Sequence, residues 1–385
     1  MEKFSAFRDA GTGIQPFLTP LHTSSSTTVD KLWRVIGYPL AMARTAIVLA
    51  LLAVYVALVN VLCLVFIPIR PLYRGITCLF TAILTRVVLA IIGLPWISVE
   101  QVSRKRGRSA ALNNPWTPGR GDLIVSNWVS WIDILYLAFR FDPIFVFPIA
   151  EASLAPSPPS PNTPISSSPG RRTGTGSANV SAKNRDVSTR VPIRGFVQVS
   201  LLRTIGLTGR SPPFFSSSVA GKSLHEIRKE ADRPIVVFPE CTSSNGRGLI
   251  RFANILPGES LPVKGYQVFV MCFRYDPPTP LTPTLTHSMT SPIPLNPLSH
   301  LFRICTSPLP SALSVRLLSM NDSPSSGLFM VSDVAPGAGA GGEGDEFSEC
   351  CAALIAQLGK MKRTGMGWED KVAFEGFYKE KRKLY

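Results

Sequence analysis

Acidic residues are scarce in this chain: 25 Asp and Glu stand against 40 Lys and Arg, which gives a formal net charge of +15. The surplus of positive charge favours anionic partners such as membrane phospholipid, nucleotides or phosphorylated substrates. The sequence has no zinc-finger or RNA-binding motif, and its basic residues form no long arm. We therefore predict no nucleic-acid partner.

Cysteine patterns typical of metal sites or disulfide scaffolds are also absent. The seven cysteines show neither metal-ligand spacing nor the arrangement of a small disulfide-rich domain. We predict reduced thiols and no bound metal. Cys350 and Cys351 are adjacent in a predicted helix, where packing is the first interpretation and palmitoylation the second.

Apolar sequence near the N-terminus is what the chain has in excess. Residues 46–69 carry no charge and, at about 1.5 Å per residue, form roughly 36 Å of helix, enough to cross a bilayer core. A second apolar run, 76–97, is interrupted by Arg86, and a central arginine is costly in lipid. We predict a membrane-embedded helical hairpin over residues 31–98, in which Arg86 reaches headgroups or a protein partner. In this hairpin the second helix is short, tilted or lies at the membrane interface. The alternative is that both helices cross the membrane completely.

The residues that flank the hairpin give information on its orientation in the membrane and on the kind of membrane. Basic residues occur on both sides of the first run, so charge does not fix its orientation. The basic patch at 103–108 indicates a contact with lipid headgroups. The first run starts too far along the chain for a cleaved signal peptide. We predict an intracellular membrane, most simply that of the endoplasmic reticulum, with the hairpin either a plain anchor or a part of the active site.

Composition divides the rest of the chain. Residues 1–30 are polar and predict a flexible tail, and residues 99–335 predict an α/β domain. A Pro- and Ser-rich stretch at 155–190 interrupts that domain and predicts a disordered insertion. Residues 336–385 comprise a Gly-rich linker and basic C-terminal helices. The last helix is amphipathic, and either docks on a membrane or packs on the domain.

Periodicity places the elements of the α/β domain. β-Branched and aromatic runs predict buried strands, and the order strand, loop, helix, strand indicates a sheet flanked by helices. An alternating run at 312–320 is typical of a sheet-edge strand. The predicted strands are 122–126, 143–149, 234–237 and 266–275, the predicted helices lie within 127–141 and about 217–232, and 277–297 is a long loop.

Two polar loops follow predicted strands and can open on one edge of the sheet. The first is SNWVSWID at 126–133, and the second is FPECTSSNGRG at 238–248. Ligands of α/β sheets bind at such carboxyl ends of strands. The second loop holds a carboxylate, several hydroxyl and amide side chains and an arginine, too many specific donors for a plain spacer.

Read together, the two loops resemble those of the glycerophospholipid acyltransferases, membrane enzymes that move a fatty acyl group from acyl-CoA to the hydroxyl of a lysophospholipid. That family carries His, four residues and Asp in the first loop, and Glu, Gly and Thr in the second. Here Asp133 matches the aspartate, and Glu240 and Thr242 match the second motif. The chain is most similar to the fungal lysophosphatidic acid:oleoyl-CoA acyltransferase branch, through its apolar N-terminal region and an end resembling GMGWEDKVAFEGFYKEKRK. The resemblance covers roughly residues 100–275, less the insertion.

The resemblance implies an acyltransferase-type mixed sheet flanked by helices behind the membrane hairpin. It implies acyl-CoA as co-substrate with no other cofactor, lysophosphatidic acid or a related lysophospholipid as acceptor, and a place in phosphatidic acid synthesis. Phospholipid membrane is the expected partner, and lipid droplets are a second location. The residues expected to hold the glycerol phosphate or to form an anion nest are Glu240, Thr242, Ser243, Asn245, Gly246 and Arg247, with Arg203 as a further phosphate-binding candidate.

The chain departs from the family at the catalytic position. Trp128 stands where the family has its histidine, and an indole has no basic lone pair. Cys241 replaces the glycine, and Ser243 the usual cation. The four histidines lie elsewhere, and His225, on a predicted helix, is more consistent with a surface or packing role.

Acyl transfer can survive this loss, because a general base supplies about 10²–10⁴ in rate and positioning supplies separate factors. In this hypothesis Asp133 orients the hydroxyl or acts as base, and Trp128 packs against the acceptor or acyl chain. Water or the substrate phosphate are the other candidate bases. Both residues also have structural interpretations, Asp133 as a helix N-terminal charge and Trp128 as a core aromatic. A catalytically silent acyltransferase fold that binds phospholipid or acyl-CoA and organises membrane traffic is the alternative function.

Overall fold

The structure is a computed structural model. It describes residues 4–21, 28–104, 115–150, 190–215, 219–290, 295–335 and 345–383. The predicted insertion at 155–190, apart from Arg190, the Gly-rich run at 336–344 and most of the basic patch at 103–108 lie outside these ranges.

The strands in chain order are β1 Ser98–Val102, β2 Leu123–Ser126, β3 Ile144–Ala150, β4 Ile193–Val199, β5 Ile235–Val237, β6 Gly248–Leu249, β7 Val268–Tyr275, β8 Leu313–Leu318 and β9 Lys362–Arg363. The α-helices are α1 Thr28–Tyr55, α2 Arg70–Ile91, α3 Trp131–Phe141, α4 Leu201–Leu207, α5 Leu224–Glu230, α6 Leu298–Cys305, α7 Val331–Val334, α8 Glu346–Gly359 and α9 Trp368–Lys383.

Within the described residues, seven strands form one mixed sheet in the order β1-β8-β7-β2-β5-β3-β4. The central strand β2 pairs in parallel with both β5 and β7, and β5 pairs in parallel with β3. The carboxyl ends of β2, β5 and β7 therefore meet at one edge. This confirms the predicted α/β class with a mixed sheet flanked by helices.

The sheet-edge prediction for residues 312–320 is wrong. β8 lies between β7, to which it is antiparallel, and β1, to which it is parallel. The alternation of apolar and polar residues in β8 fits a strand that is next to the short edge strand β1. Alternation alone does not distinguish this position from the edge itself.

Helices cover both faces of the sheet because successive side chains of each strand point to opposite sides. On β2, Ile124 faces the cluster that contains α1, α2, α3, α4 and α6. Leu123 and Val125 face the cluster that contains α5 and α8. Two hydrophobic cores result, one on each face.

The N-terminal helices are long and apolar enough, by length and composition, to cross a membrane. The apolar windows in 36–66 and in α2 are only 12% and 17% buried. Leucines and valines all along these helices are exposed, among them Leu62, Val65 and Leu79. An apolar surface of this extent marks an interaction site.

Arg86 of α2 makes contacts within the chain, and its contact with headgroups or a protein partner stays a prediction. Its guanidinium donates to the carbonyl oxygens of Leu94, at 3.3 Å, and Pro95, at 2.6 Å. It also lies 5.6 Å from the ring centroid of Phe139. Arg86 thus ties the end of α2 to α3.

The flexible-tail prediction fails for residues 4–21. Phe7 and Phe17 are buried against Phe374 of α9, with ring centroids 5.1 and 5.8 Å away. The first half of α9 is buried in turn. Of the two alternatives for the last helix, packing on the domain holds for this half, and residues 4–21 meet α9 behind the second loop.

Candidate functional site

The two predicted loops are joined directly, and Glu240 is the residue that joins them. Its Oε2 accepts a hydrogen bond of 2.7 Å from the Trp128 amide, and its Oε1 accepts one of 3.2 Å from the Ile250 amide. The Ser244 amide returns a 3.0 Å bond to the Trp128 carbonyl. Glu240 has no exposed surface, and burial raises the pKa of its carboxyl to about 8. Glu240 thus fixes the geometry between the loops.

Asp133 sits in the first turn of α3. The side chain of Ser130 caps the helix, and Asp133 completes the capping box. Its Oδ2 accepts bonds of 2.8 Å from the amides of Val129 and Ser130, and its Oδ1 accepts the hydroxyl of Tyr275. Burial raises the pKa of Asp133 to about 7. The structural interpretation of Asp133 therefore holds, and the Tyr275 contact is additional to it.

Trp128 is wholly buried. Its indole stacks on Phe238, with ring centroids 5.2 Å apart, and meets the ring of Phe147 edge-on at 5.3 Å. The indole nitrogen has no hydrogen-bond partner in the described part of the chain. Trp128 fills the core beneath the loops, and neither of the two cavities described below is lined by it.

Thr242 and Ser243 are anchored by groups that are remote in sequence. Lys371 of α9, itself fully buried, donates to Thr242 Oγ1 at 2.7 Å and to the Ser243 carbonyl at 2.9 Å. Thr242 Oγ1 donates to the Arg210 carbonyl at 2.7 Å, and Ser243 Oγ to the His287 carbonyl at 2.7 Å. Burial lowers the pKa of Lys371 to about 8. Nothing in the local sequence around Lys371 predicts this role, apart from its place in a basic helix.

Asn245 holds the N-terminal segment against the second loop. Its Nδ2 donates to the carbonyls of Gln15 at 2.7 Å and Leu18 at 2.8 Å. Gly246 has a φ of +70°, and a Cβ there would lie 3.1 Å from Val129 Cγ1, so the tight turn requires glycine. The predicted anion nest is already used within the loop, because the amides of Gly246 and Arg247 bond Ser244 Oγ and Asn245 Oδ1.

The two candidate arginines lie apart. Arg247 exposes its side chain at the end of the second loop. Arg203 lies exposed on α4 with its guanidinium 4.9 Å from the ring centroid of Phe215. Among the described contacts, none joins Arg203 to either loop.

Two histidines that sequence reasoning set aside lie next to the site. The amide of His287 bonds the Val129 carbonyl at 2.9 Å. His300 Nδ1 accepts the indole N–H of Trp131 at 2.9 Å, and His300 Nε2 bonds the Thr284 carbonyl at 3.1 Å. Burial lowers the pKa of His287 to about 4 and that of His300 well below its usual value. Both nitrogens of His300 are occupied, so it is not a free base. His225 is an exposed residue of α5.

An apolar cavity of about 320 Å³ opens beside the first loop. It lies between the N-terminal helices and α3, α4 and α6. Aliphatic side chains dominate its wall, with Trp131 and Asn296 among the few polar groups. Its aliphatic wall includes Leu52, Leu84, Val88, Leu135, Leu201, Ile205 and Leu301.

A second cavity, of about 220 Å³, opens beside the second loop, and we call it the cationic cavity. Arg247, Arg274 and Lys360 line it, from the second loop, the end of β7 and the C-cap of α8 respectively. Tyr275 and Thr284 also line it. No carboxylate of the described residues forms an ion pair with these three cations, although Asp276 lies on the same wall.

The two cavities lie on either side of a short hydrogen-bonded chain. Trp131 lines the apolar cavity and Thr284 the cationic one, and His300 bonds both. The site thus presents an apolar slot and a positively charged polar cavity next to the paired loops. In the described residues, no cluster of three or more His, Cys, Asp or Glu is arranged to hold a metal.

Comparisons of the chain with protein-family models, with curated proteins and with solved structures found no match.

Proposed function

We propose that this protein is a membrane-bound acyltransferase that moves a fatty acyl group from acyl-CoA to lysophosphatidic acid or a related lysophospholipid. The observation that carries the proposal is the pair of cavities of opposite character at the joined loops. Both substrates are amphiphiles with a long acyl chain and a phosphate-bearing head. A site for them needs an apolar slot and a cationic cavity side by side.

The apolar cavity suits an acyl chain. Burying one methylene group contributes about 0.8 kcal/mol, so a wall of aliphatic side chains gives strong preference for a long chain over a short one. The cavity is bounded by α1 and α2, the helices that we propose to be embedded in the membrane. An acyl chain can then enter from the lipid without crossing water.

The cationic cavity suits the phosphate. Arg247, Arg274 and Lys360 come from three separate segments, and arginine binds phosphate through paired N–H donors. The Thr284 hydroxyl adds a neutral donor. In this proposal Arg247 keeps the phosphate-binding role expected from the resemblance, while Arg203 does not share it.

Positioning is the main source of rate in this proposal. The thioester is an activated acyl donor, and holding it against the acceptor hydroxyl in the right geometry contributes several kcal/mol. Glu240, Thr242 and Ser243 support the loops and do not touch substrate. The product would be phosphatidic acid or its analogue, and free CoA.

The proposal is tested with the purified protein in detergent, oleoyl-CoA and lysophosphatidic acid, by following CoA thiol release and phosphatidic acid formation together. Lysophosphatidylcholine and monoacylglycerol serve as alternative acceptors. Acceptor-dependent CoA release by the wild type, lost in Asp133→Ala, supports the proposal. Equal release with and without acceptor would show hydrolysis instead of transfer.

The burial of Trp128 favours a second candidate, a silent acyltransferase fold that binds acyl-CoA or phospholipid and organises membrane traffic. The indole fills the motif position and presents no base to either cavity. Under this hypothesis the wild type binds oleoyl-CoA, seen as quenching of tryptophan fluorescence, without forming product. We place either protein in the endoplasmic reticulum membrane or on lipid droplets, which fluorescence microscopy of the tagged chain would test.

A further inference from the structure

Asp133 is sealed from both cavities except through one contact. Its side chain has no exposed surface, and its Oδ2 is taken by the amides of Val129 and Ser130. The remaining oxygen, Oδ1, accepts the hydroxyl of Tyr275. No substrate hydroxyl can therefore reach Asp133 directly in this arrangement.

Tyr275 provides the connection. It is the last residue of β7 and is half-buried. It lines the cationic cavity next to Arg274, Arg247 and Asn245. The same tyrosine thus belongs to the wall of the proposed phosphate site and to the hydrogen-bond shell of the motif aspartate.

The direction of the hydrogen bond is set by chemistry. A carboxylate has no proton to give, so the phenol of Tyr275 must donate to Asp133. The phenolic oxygen already has the Ser130 side chain as a hydrogen-bond neighbour, and its second lone pair can accept a hydrogen bond from another hydroxyl. A lysophospholipid hydroxyl in the cationic cavity would meet this oxygen.

We propose that Tyr275 and Asp133 form a proton relay that replaces the missing motif histidine. This inference rests on the proposed function. The acceptor hydroxyl gives its proton to the Tyr275 oxygen as its own oxygen attacks the thioester carbonyl, and Tyr275 passes its hydroxyl proton to Asp133 Oδ1. The acyl C–O bond forms, the C–S bond breaks, and the CoA thiolate leaves. The proton returns from Asp133 through Tyr275 to that thiolate or to water.

The electrostatics of the pair fit this role. Burial raises the pKa of Asp133 to about 7, and a base works best when its pKa lies near the working pH. Burial and the adjacent carboxylate raise the pKa of Tyr275 well above its usual value, so the phenol relays a proton without resting as a tyrosinate. In addition to burial, the charge of Asp133 in turn raises the pKa of two neighbouring groups, Glu240 of the second loop and Cys272 of β7.

The experiment compares Tyr275→Phe with the wild type and with Tyr136→Phe, a buried tyrosine of α3 in the hydrophobic cluster against which Tyr275 packs. The relay predicts that Tyr275→Phe lowers kcat by about 10²–10⁴, with the KM for lysophosphatidic acid little changed. Tyr136→Phe keeps the wild-type kcat. The acid limb of the residual activity should move to higher pH, because the lost hydrogen bond stabilised the charged form of Asp133.

The outcomes separate the relay from the function. Wild-type turnover with an unchanged kcat in Tyr275→Phe overturns the relay alone, and so does an equal loss in both variants. Absence of wild-type turnover overturns both proposals. If thermal unfolding shows that Tyr275→Phe is not folded, the test is instead the rate of single-turnover acyl transfer by the wild type in D₂O compared with H₂O. A slower rate in D₂O supports proton transfer in the rate-limiting step, as the relay requires, and an unchanged rate contradicts the relay.

Discussion

The backbone amide of Trp128 donates to Glu240 Oε2 at 2.7 Å across 112 residues of sequence. This bond links the main chain of the first loop to the buried carboxylate of the second loop. It is made through the main chain, so the side chain at position 128 can change without breaking it. The junction of the two loops therefore does not depend on a histidine.

Glu240→Ala should destabilise the fold more than Glu240→Gln. Alanine leaves the buried amides of Trp128 and Ile250 without an acceptor, at about 1–3 kcal/mol for each group. Glutamine retains one acceptor oxygen. Urea unfolding in detergent measures the difference, and equal stability of the two variants would contradict a structural role for the carboxylate.

The contribution of Glu240 to the free energy of unfolding should fall as pH rises from about 4.5 towards 8, while His287 and His300, whose pKa values are lowered, contribute the opposite slope below about pH 6.5. The folded-state pKa of Glu240 is raised from 4.5 to about 8, so in this window the folded state binds the proton that the unfolded state has lost. Asp133 acts in the same direction up to about pH 7. Unfolding measured between pH 5 and 8 should show a shallower slope in Glu240→Gln, and an identical slope would refute the assignment to Glu240.

Lys371→Met should loosen α9 from the second loop. The substitution removes the bonds to Thr242 and to the Ser243 carbonyl while keeping an unbranched side chain, and we expect a loss of about 1–3 kcal/mol. Lys379→Met, at an exposed position of the same helix, is the matched control. Thermal unfolding and limited proteolysis near residue 368 check this. If Lys371→Met and Lys379→Met unfold at the same temperature, Lys371 does not stabilise the contact of α9 with the second loop.

Arg274→Gln and Lys360→Gln should each raise the KM for lysophosphatidic acid about ten- to a hundredfold, since a charged hydrogen bond contributes about 1.5–3 kcal/mol. The KM for monoacylglycerol, which has no phosphate, should stay constant. Lys229→Gln, on the exposed face of α5, controls for net charge. An equal rise in the KM for both acceptors would show that these side chains do not bind the phosphate.

Ile205→Trp should shift acyl preference towards shorter chains. The indole would occupy part of the apolar cavity that Ile205 lines. Relative rates with decanoyl-CoA and oleoyl-CoA report the change, and Leu79→Trp, on an exposed part of α2, is the control. An unaltered ratio of the decanoyl-CoA rate to the oleoyl-CoA rate would show that the acyl chain does not bind in this cavity.

Local sequence was sufficient for most of the sheet. The β-branched and aromatic runs of β2, β3, β5 and β7 predict buried strands. The alternation of these strands with helices along the chain indicates a parallel arrangement, in which the loops after the strands share one edge. The helix α6 was missed because it follows a Pro- and Thr-rich loop and is only eight residues long. The place of β8 depends on β1, a pairing over more than 200 residues that no local pattern reveals.

The candidate site was predictable only in part. Glu240 and Asp133 were identified as central, but their burial depends on partners far along the chain. Lys371, Tyr275 and His300 reach the loops through tertiary contacts, and each looks ordinary in its own segment. The tail contact with Asn245 was missed because the segment around Gln15 has no periodicity that predicts a structural element.

The most direct test of the account is phosphatidic acid formation from oleoyl-CoA and lysophosphatidic acid by the purified wild type, beside Asp133→Ala and Trp128→His. The account predicts product from the wild type in proportion to enzyme and none from Asp133→Ala. Product from Trp128→His alone, with a silent wild type, would contradict it and identify a binding protein that has lost its catalytic base.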